Sequence, residues 1–216
     1  MIRQSIYLLV ICFSFQIFES CNKKDTISEF KSEIQNRNGV FLILIGVDDK
    51  VSNRITSFNY KRKSKYSHIG ILITKKRKSI IYDVHPKKIK ITNKICSQTI
   101  DEFISFSKKP INYIGIWKLN FNNVEKICQN INLNEKVVYD YQFDNKTNSS
   151  LYCSEFVAKT LDKFTKHNSN WIFLKKTLNK TERLILKKNV INYYPVDFFM
   201  NDKSIIFISE WTFEKK

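Results

Sequence analysis

Two apolar runs joined by a short basic link occupy residues 66 to 86: YSHIGILIT, then KKRK, then SIIYDVHP. No other stretch restricts the fold as strongly. Alternation places His68, Gly70 and Leu72 on one strand face and Ile69, Ile71 and Ile73 on the other, so the pair reads as an antiparallel hairpin. If Lys75 and Lys76 alone make the turn, Asp83 lies opposite His68. If all four residues of KKRK make it, His85 lies opposite His68 and Asp83 is the diagonal neighbour. Lys-Lys is a poor type I′ turn, which favours the four-residue version. In both registers Asp83 shares a face with His68 and is within side-chain reach. A three-residue turn would send Asp83 to the other face. Gly70 leaves room beside the imidazole.

Further strands surround this hairpin. GVFLILIG at 39–46 is a continuous apolar run and reads as a buried strand. KIKIT after the hairpin, INYIGIWKLN, and the late segments SIIFIS and EWTFE are also strands. TISEFKSEI, TIDEFISF and NNVEKICQNI suggest short helices, and VSNRITSFNYKRKSK is helix or loop. VVYDYQFDNKTNSS is a loop. CSEFVAKTLDKF is an amphipathic helix with Phe156, Val157, Leu161 and Phe164 on one face. There is no internal repeat. The order of elements points to an α+β domain with an antiparallel sheet.

The first residues bear on the compartment. SIYLLVICFSFQIF is an apolar run of 14 after a single Arg, followed by FESC and the polar NKKD. That is a signal-peptide layout and too short for a comfortable membrane span. A cysteine directly after the run resembles a bacterial lipobox, with Cys21 as the acylated mature N-terminus. An ordinary secretory leader or an uncleaved anchor are the alternatives. The expected organisation is a signal peptide at 1–20, a polar tether at 21–38 and one domain at 39–216. An exported protein of the cell envelope, tethered to the membrane, follows from this layout. The formal net charge is +17. Nucleic acid, an anionic membrane or wall surface, and codon bias toward Lys, Asn and Ile compete to explain it. A nucleic-acid partner is not expected, because no binding motif accompanies the charge and a leader argues against intracellular DNA.

Of five cysteines, Cys12 lies in the leader and Cys21 is the lipidation candidate. Three remain, so at least one is unpaired within the chain. Cys128 falls at helical spacing with Val124, Ile127 and Ile131 and reads as core. Cys96 is core or a disulfide partner. Cys153, in SSLYCSEF, stands where coil becomes helix, with Ser149 or Ser150 as the N-cap. Unpaired N–H groups at a helix start favour a thiolate and can hold an oxyanion. The bland alternative is a small, partly buried residue at a helix start. A thiol enzyme needs a base, and the histidines are His68, His85 and His167. His68 with Asp83 supplies base and orienter. No Cys or His spacing suits zinc, so neither a metal nor another cofactor is expected.

YSHIGI, then YD about fifteen residues on, then YDYQFD, then YCSEFV resemble the circularly permuted NlpC-type papain-like hydrolases of the YaeF/YiiX type. There the His-bearing strand precedes the Cys-bearing helix. The resemblance runs from about Gly39 to YYPVDFF. It implies an antiparallel sheet packed on helices around a papain-like cleft, with Cys153 as nucleophile, His68 as base and Asp83 where the family often has Glu. By the same carry-over Tyr139 and Asp140 match a Y-D element that shapes the site. Glu155 matches the C-S-E carboxylate, with a helix-start or packing role. Tyr66 and Ser154, inside the two motifs, are further candidates for substrate contact or support. Val40 departs from the pattern, standing where Asp is usual. The implied activity is cleavage of an amide or ester bond in a cell-wall peptide or an acylated lipid or lipopeptide, through an acyl-enzyme. The alternative is an inactive lipid- or wall-binding module on the same fold.

Overall fold

β1 (Gly39–Val47) is the strand on which the molecule is built. A computed structural model of the chain describes residues 27–48, 50–61, 63–86, 94–105, 110–120, 126–127, 131, 133, 136–143, 150–162 and 171–213. Eight of the nine residues of β1 are buried, because both of its faces meet protein. Val40, Leu42 and Leu44 enter one apolar cluster, and Phe41, Ile43, Ile45 and Val47 enter the other. The period of two thus splits one apolar run between two cores. Each fully buried side chain of this kind contributes about 1.5–3 kcal/mol, which makes β1 the costliest place to introduce a charge.

The main sheet has six strands in the order β10-β5-β1-β2-β3-β4, and every neighbouring pair is antiparallel. β2 is His68–Lys75, β3 is Lys78–Asp83, β4 is Cys96–Gln98, β5 is Ile111–Leu119 and β10 is Ile205–Thr212. SIIFIS and EWTFE, expected as two strands, form the single strand β10, with a register shift between Phe207 and Ser209. Four helices accompany the sheet among the described residues: α1 at 27–35, α2 (Lys50–Thr56), α3 (Ile100–Ser105) and α4 (Cys153–Asp162). After them come β8 (Leu174–Thr177), α5 (Lys180–Leu186) and β9 (Val190–Tyr193), with β8 and β9 forming a separate antiparallel pair. The α+β reading with an antiparallel sheet therefore holds.

Three expectations need correction. Residues 27–35 are not tether. Phe30 and Ile34, one helical turn apart, are fully buried in the second cluster, with Phe30 edge-on to Trp211. The folded unit therefore begins before Gly39. The segment expected as a loop before Cys153 contains β6 (Val138–Tyr139), which pairs in parallel with β7 (Ser150–Leu151). That pairing puts Ser150 in a strand, so it is not the helix N-cap. The Phe156 N–H bonds to the Tyr152 carbonyl, which makes Tyr152 the cap and Cys153 the first helical residue.

The hairpin turn combines features of both readings. Lys75 pairs with Lys78 and Ile71 with Tyr82, the register of the four-residue version. The turn itself holds only Lys76 and Arg77, at φ 50° and 64°, the left-handed backbone of a type I′ turn. Asn38 steadies it by accepting the Lys76 N–H at 3.0 Å. The leader, Cys12, Cys21, Cys128, Phe164, His167, Ser149 and the KIKIT strand lie outside the described residues, as does most of NNVEKICQNI. Among the described residues no helix is long and apolar enough to cross a membrane.

Candidate active site

His68 is the first residue of β2, at one end of the sheet, and α4 begins at Cys153. α4 packs its Phe156, Val157 and Leu161 into the cluster that also takes Ile69 and Ile71 from β2. This apolar contact brings the first turn of α4 to the imidazole, so that Cys153 lies close enough to act on His68 electrostatically. The other side of the ring is held by Asp83: His68 Nε2 lies 2.8 Å from Asp83 Oδ2. Asp83 is fully buried, and its second oxygen accepts from Gln98 Nε2 at 2.7 Å. Gln98, Asp83 and His68 form one connected hydrogen-bonded chain, and Cys153 lies beside its imidazole end.

The hairpin register explains why this chain fits. Gly70 sits two residues after His68 on the same face. A Cβ there would come within 3.0 Å of Ile81 Cγ2, 3.1 Å of the Tyr82 carbonyl oxygen and 3.4 Å of Asp83 Cβ. Glycine at position 70 lets β3 and Asp83 lie close to β2 without a tight Cβ contact, within diagonal reach of the imidazole. His85 meets the His68 ring edge-on at 5.8 Å between centroids, and Phe103 of α3 covers it at 5.6 Å. Burial alone would pull the imidazole pKa down. The Cys153 sulfur and the hydrogen bond to Asp83 outweigh it and push the pKa from 6.5 to about 10.

A pocket of about 190 Å³ opens beside the sulfur. Phe58, Tyr139, Tyr152, Cys153, Tyr193 and Val196 are among the side chains that line it, and nearly all of its wall is apolar. The residues flanking Cys153 build part of that wall. Ser154 Oγ donates to the Tyr194 carbonyl at 2.7 Å, and the Tyr194 N–H donates to Tyr152 Oη at 2.7 Å. Tyr193 Oη donates to the Phe58 carbonyl, and Asp197 accepts the N–H groups of Tyr60 and Lys61. The pocket is therefore laced together from three distant segments.

The remaining candidates divide. Tyr139 lines the pocket, and burial followed by the charge of Cys153 drives its hydroxyl pKa well upward, so it stays a donor. Asp140 accepts the Gln142 N–H at 2.7 Å and turns the chain so that Tyr139 and Tyr141 stack edge-on at 4.8 Å. Glu155 is fully buried in the first turn of α4, with Lys159 Nζ 2.7 Å from Oε1. Burial raises its pKa to about 7 against the pull of Lys159. Tyr66 does not join the pocket. Its hydroxyl donates to Glu210 of β10, and it crosses β5 where Gly115 has no side chain to block it. Its position supports the sheet rather than a substrate. Gln98, Tyr152 and Tyr194 are contributors that sequence reading missed. Cys96 is buried and is not in a disulfide among the described residues.

No arrangement suited to a metal ion, meaning three or more His, Cys, Asp or Glu together, occurs among the described residues. Both Asp83 oxygens and His68 Nε2 are already committed to hydrogen bonds. The site as built does not fit a metal.

The chain matches no protein-family model and no curated protein. Among solved structures it is similar to the crystal structure of the metalloprotein yiiX from Escherichia coli O157:H7, DUF1105. The two are 15% identical, the match covers 82% of this chain and 99% of that one, and the TM-score is 0.59. The chain therefore has the fold of the YiiX-type structure, over most of its length.

Proposed function

We propose that this chain is an exported cysteine hydrolase of the cell envelope, with a permuted papain-like arrangement, that cleaves an amide or ester bond. The observation that supports this reading is the His68 imidazole held at 2.8 Å by Asp83, with Cys153 beside it at the head of α4. In the reaction, Cys153 Sγ attacks the carbonyl carbon with its proton held on His68. The oxyanion accepts from the Cys153 backbone N–H, which has no intrahelical partner at the first helical position, and from the Tyr139 hydroxyl. The imidazolium then protonates the leaving amine or alcohol, leaving a thioester. Water, deprotonated by His68, releases the acid and restores the thiol.

Of the two substrate classes, the pocket favours the acylated one. A peptide stem rich in carboxylates and amides would leave its polar groups unpaired against this wall, at about 1–3 kcal/mol each. A hydrocarbon chain would gain about 0.8 kcal/mol per buried CH₂. The test is turnover of p-nitrophenyl esters of increasing chain length, with intact-mass detection of an acyl adduct on Cys153. Rising kcat/KM with chain length, and loss of the adduct in Cys153→Ala, are expected. If the thiol takes no acyl group from any ester or muramyl peptide, the fold serves here as a binding module.

A further inference from the structure

We propose that α5 and the mouth of the pocket form a docking face for an anionic lipid bilayer. α5 buries Leu186 and Glu182 and turns Leu184 and Ile185 outward, 73% and 59% exposed. Adjacent large side chains left in water on a seven-residue helix contribute nothing to its packing. Ile185 also lines the pocket, and so does Tyr141, which is 61% exposed. Val138, in the strand that carries Tyr139, is 57% exposed. Ile185 and Tyr141 thus put exposed apolar surface on the wall of the pocket that leads to Cys153, with Leu184 and Val138 as their chain neighbours.

The charge around them has one sign. Between Lys175 and Lys188 the sequence carries six cations and a single acid. That acid, Glu182, is buried, bonded to the Asn179 N–H and paired with Lys176 at 3.0 Å. Glu182 therefore shows no negative charge on this surface, while Lys180, Arg183 and Lys187 are exposed. Outward aliphatic side chains flanked by cations suit a surface that is anionic outside and apolar just beneath, as a bilayer with anionic headgroups is. An acidic protein would match the cations but not the isolated Leu184–Ile185 pair. This face deepens the acyl-substrate reading, since a chain drawn from the bilayer would enter the pocket directly, but docking itself does not require turnover.

The test uses the full chain with Cys21→Ser, so that no acyl anchor contributes, and vesicles of phosphatidylcholine with or without phosphatidylglycerol. Cosedimentation is expected only with phosphatidylglycerol. Leu184→Asp, and separately Lys180→Glu with Arg183→Glu, should each weaken it about tenfold or more. Lys75→Glu with Lys78→Glu makes the same charge change at the hairpin tip, at the end of β2 away from His68, and should weaken it far less. Iodoacetamide labelling of Cys153 in solution should be unchanged in all of these variants, which shows that they fold. Equal losses from the two charge reversals would reduce the effect to overall charge and overturn the proposal. So would wild-type protein that ignores anionic vesicles, or a dimer abolished by Leu184→Asp without vesicle binding. A chain that binds vesicles but never acylates Cys153 would keep the docking face and defeat the hydrolase reading alone.

Discussion

Gln98 donates to the one oxygen of Asp83 that His68 does not take, at 2.7 Å. A fully buried carboxylate with one oxygen unpaired is costly, so the glutamine satisfies that oxygen and fixes the rotamer of the orienting acid. Gln98→Leu is expected to destabilise the fold by about 1–3 kcal/mol, by leaving that oxygen unsatisfied. It should also lower kcat more than it raises KM, because the damage reaches substrate only through His68. Denaturant melts and steady-state ester hydrolysis check the two parts separately. Gln98→Glu should be worse than Gln98→Leu, since it sets two acids against each other.

The imidazole is expected to stay protonated across neutral pH. Its pKa is raised from 6.5 to about 10, so the interaction is fully present below about 6.5 and lost as pH climbs toward 10. Stability contributed by His68 therefore falls on the alkaline side. Ring-carbon chemical shifts should show a histidine that does not titrate between pH 5 and 8. Removing the sulfur with Cys153→Ala should bring that titration back toward the neutral range, because the sulfur is the largest raising influence.

Ser154 and Tyr152 grip one residue, Tyr194, from its carbonyl and its N–H. They hold the pocket wall against the nucleophile without touching its sulfur chemistry. Ser154→Ala should cost about 1 kcal/mol of stability and raise KM for long acyl esters several-fold with little change in kcat. Tyr152→Phe removes the acceptor of the Tyr194 N–H and should act in the same direction. A fall in kcat alone would show that the clasp positions the thiol instead of the wall.

The parts of this site that a reader of the sequence can find are those set by local periodicity. His68 and Asp83 belong to one hairpin, and alternation plus register brings them together whichever even-numbered turn is chosen. Cys153 stands at the start of a helical pattern that is plain in its Phe156, Val157 and Leu161. Gln98 and Tyr194 were not legible, because each reaches the site through pairing with distant chain: β4 on β3, and the Tyr194 backbone on α4. α1 was readable as a short helix in TISEFKSEI, but its place in the core was hidden, since Phe30 and Ile34 are two apolar anchors among polar neighbours. α5 escaped notice because its apolar run Leu184–Ile185–Leu186 is contiguous and lacks helical spacing, two of the three residues facing out. The hairpin turn defied its residue types, as Lys76 and Arg77 adopt positive φ, with Asn38 accepting the Lys76 N–H.

Glu155 ties stability to pH near the site. Its carboxyl is fully buried, neither oxygen has a well-directed hydrogen bond among the described residues, and Lys159 is the opposing charge. Burial, with Asp140 nearby, raises its pKa from 4.5 to about 7 against the pull of Lys159. The folded state therefore holds a proton that the unfolded chain releases near 4.5, and stability falls as pH rises from about 4.5 to 7. Glu155→Gln keeps the shape and removes the ionisation. It should flatten that decline and leave the variant more stable than the wild type above pH 7, by about 1–3 kcal/mol less whatever loss of the ion pair with Lys159 costs. Urea melts of both proteins at pH 5, 6, 7 and 8 measure the difference. Parallel curves would mean that the carboxylate ionises in the fold at its ordinary pKa, held by Lys159 strongly enough to cancel the burial.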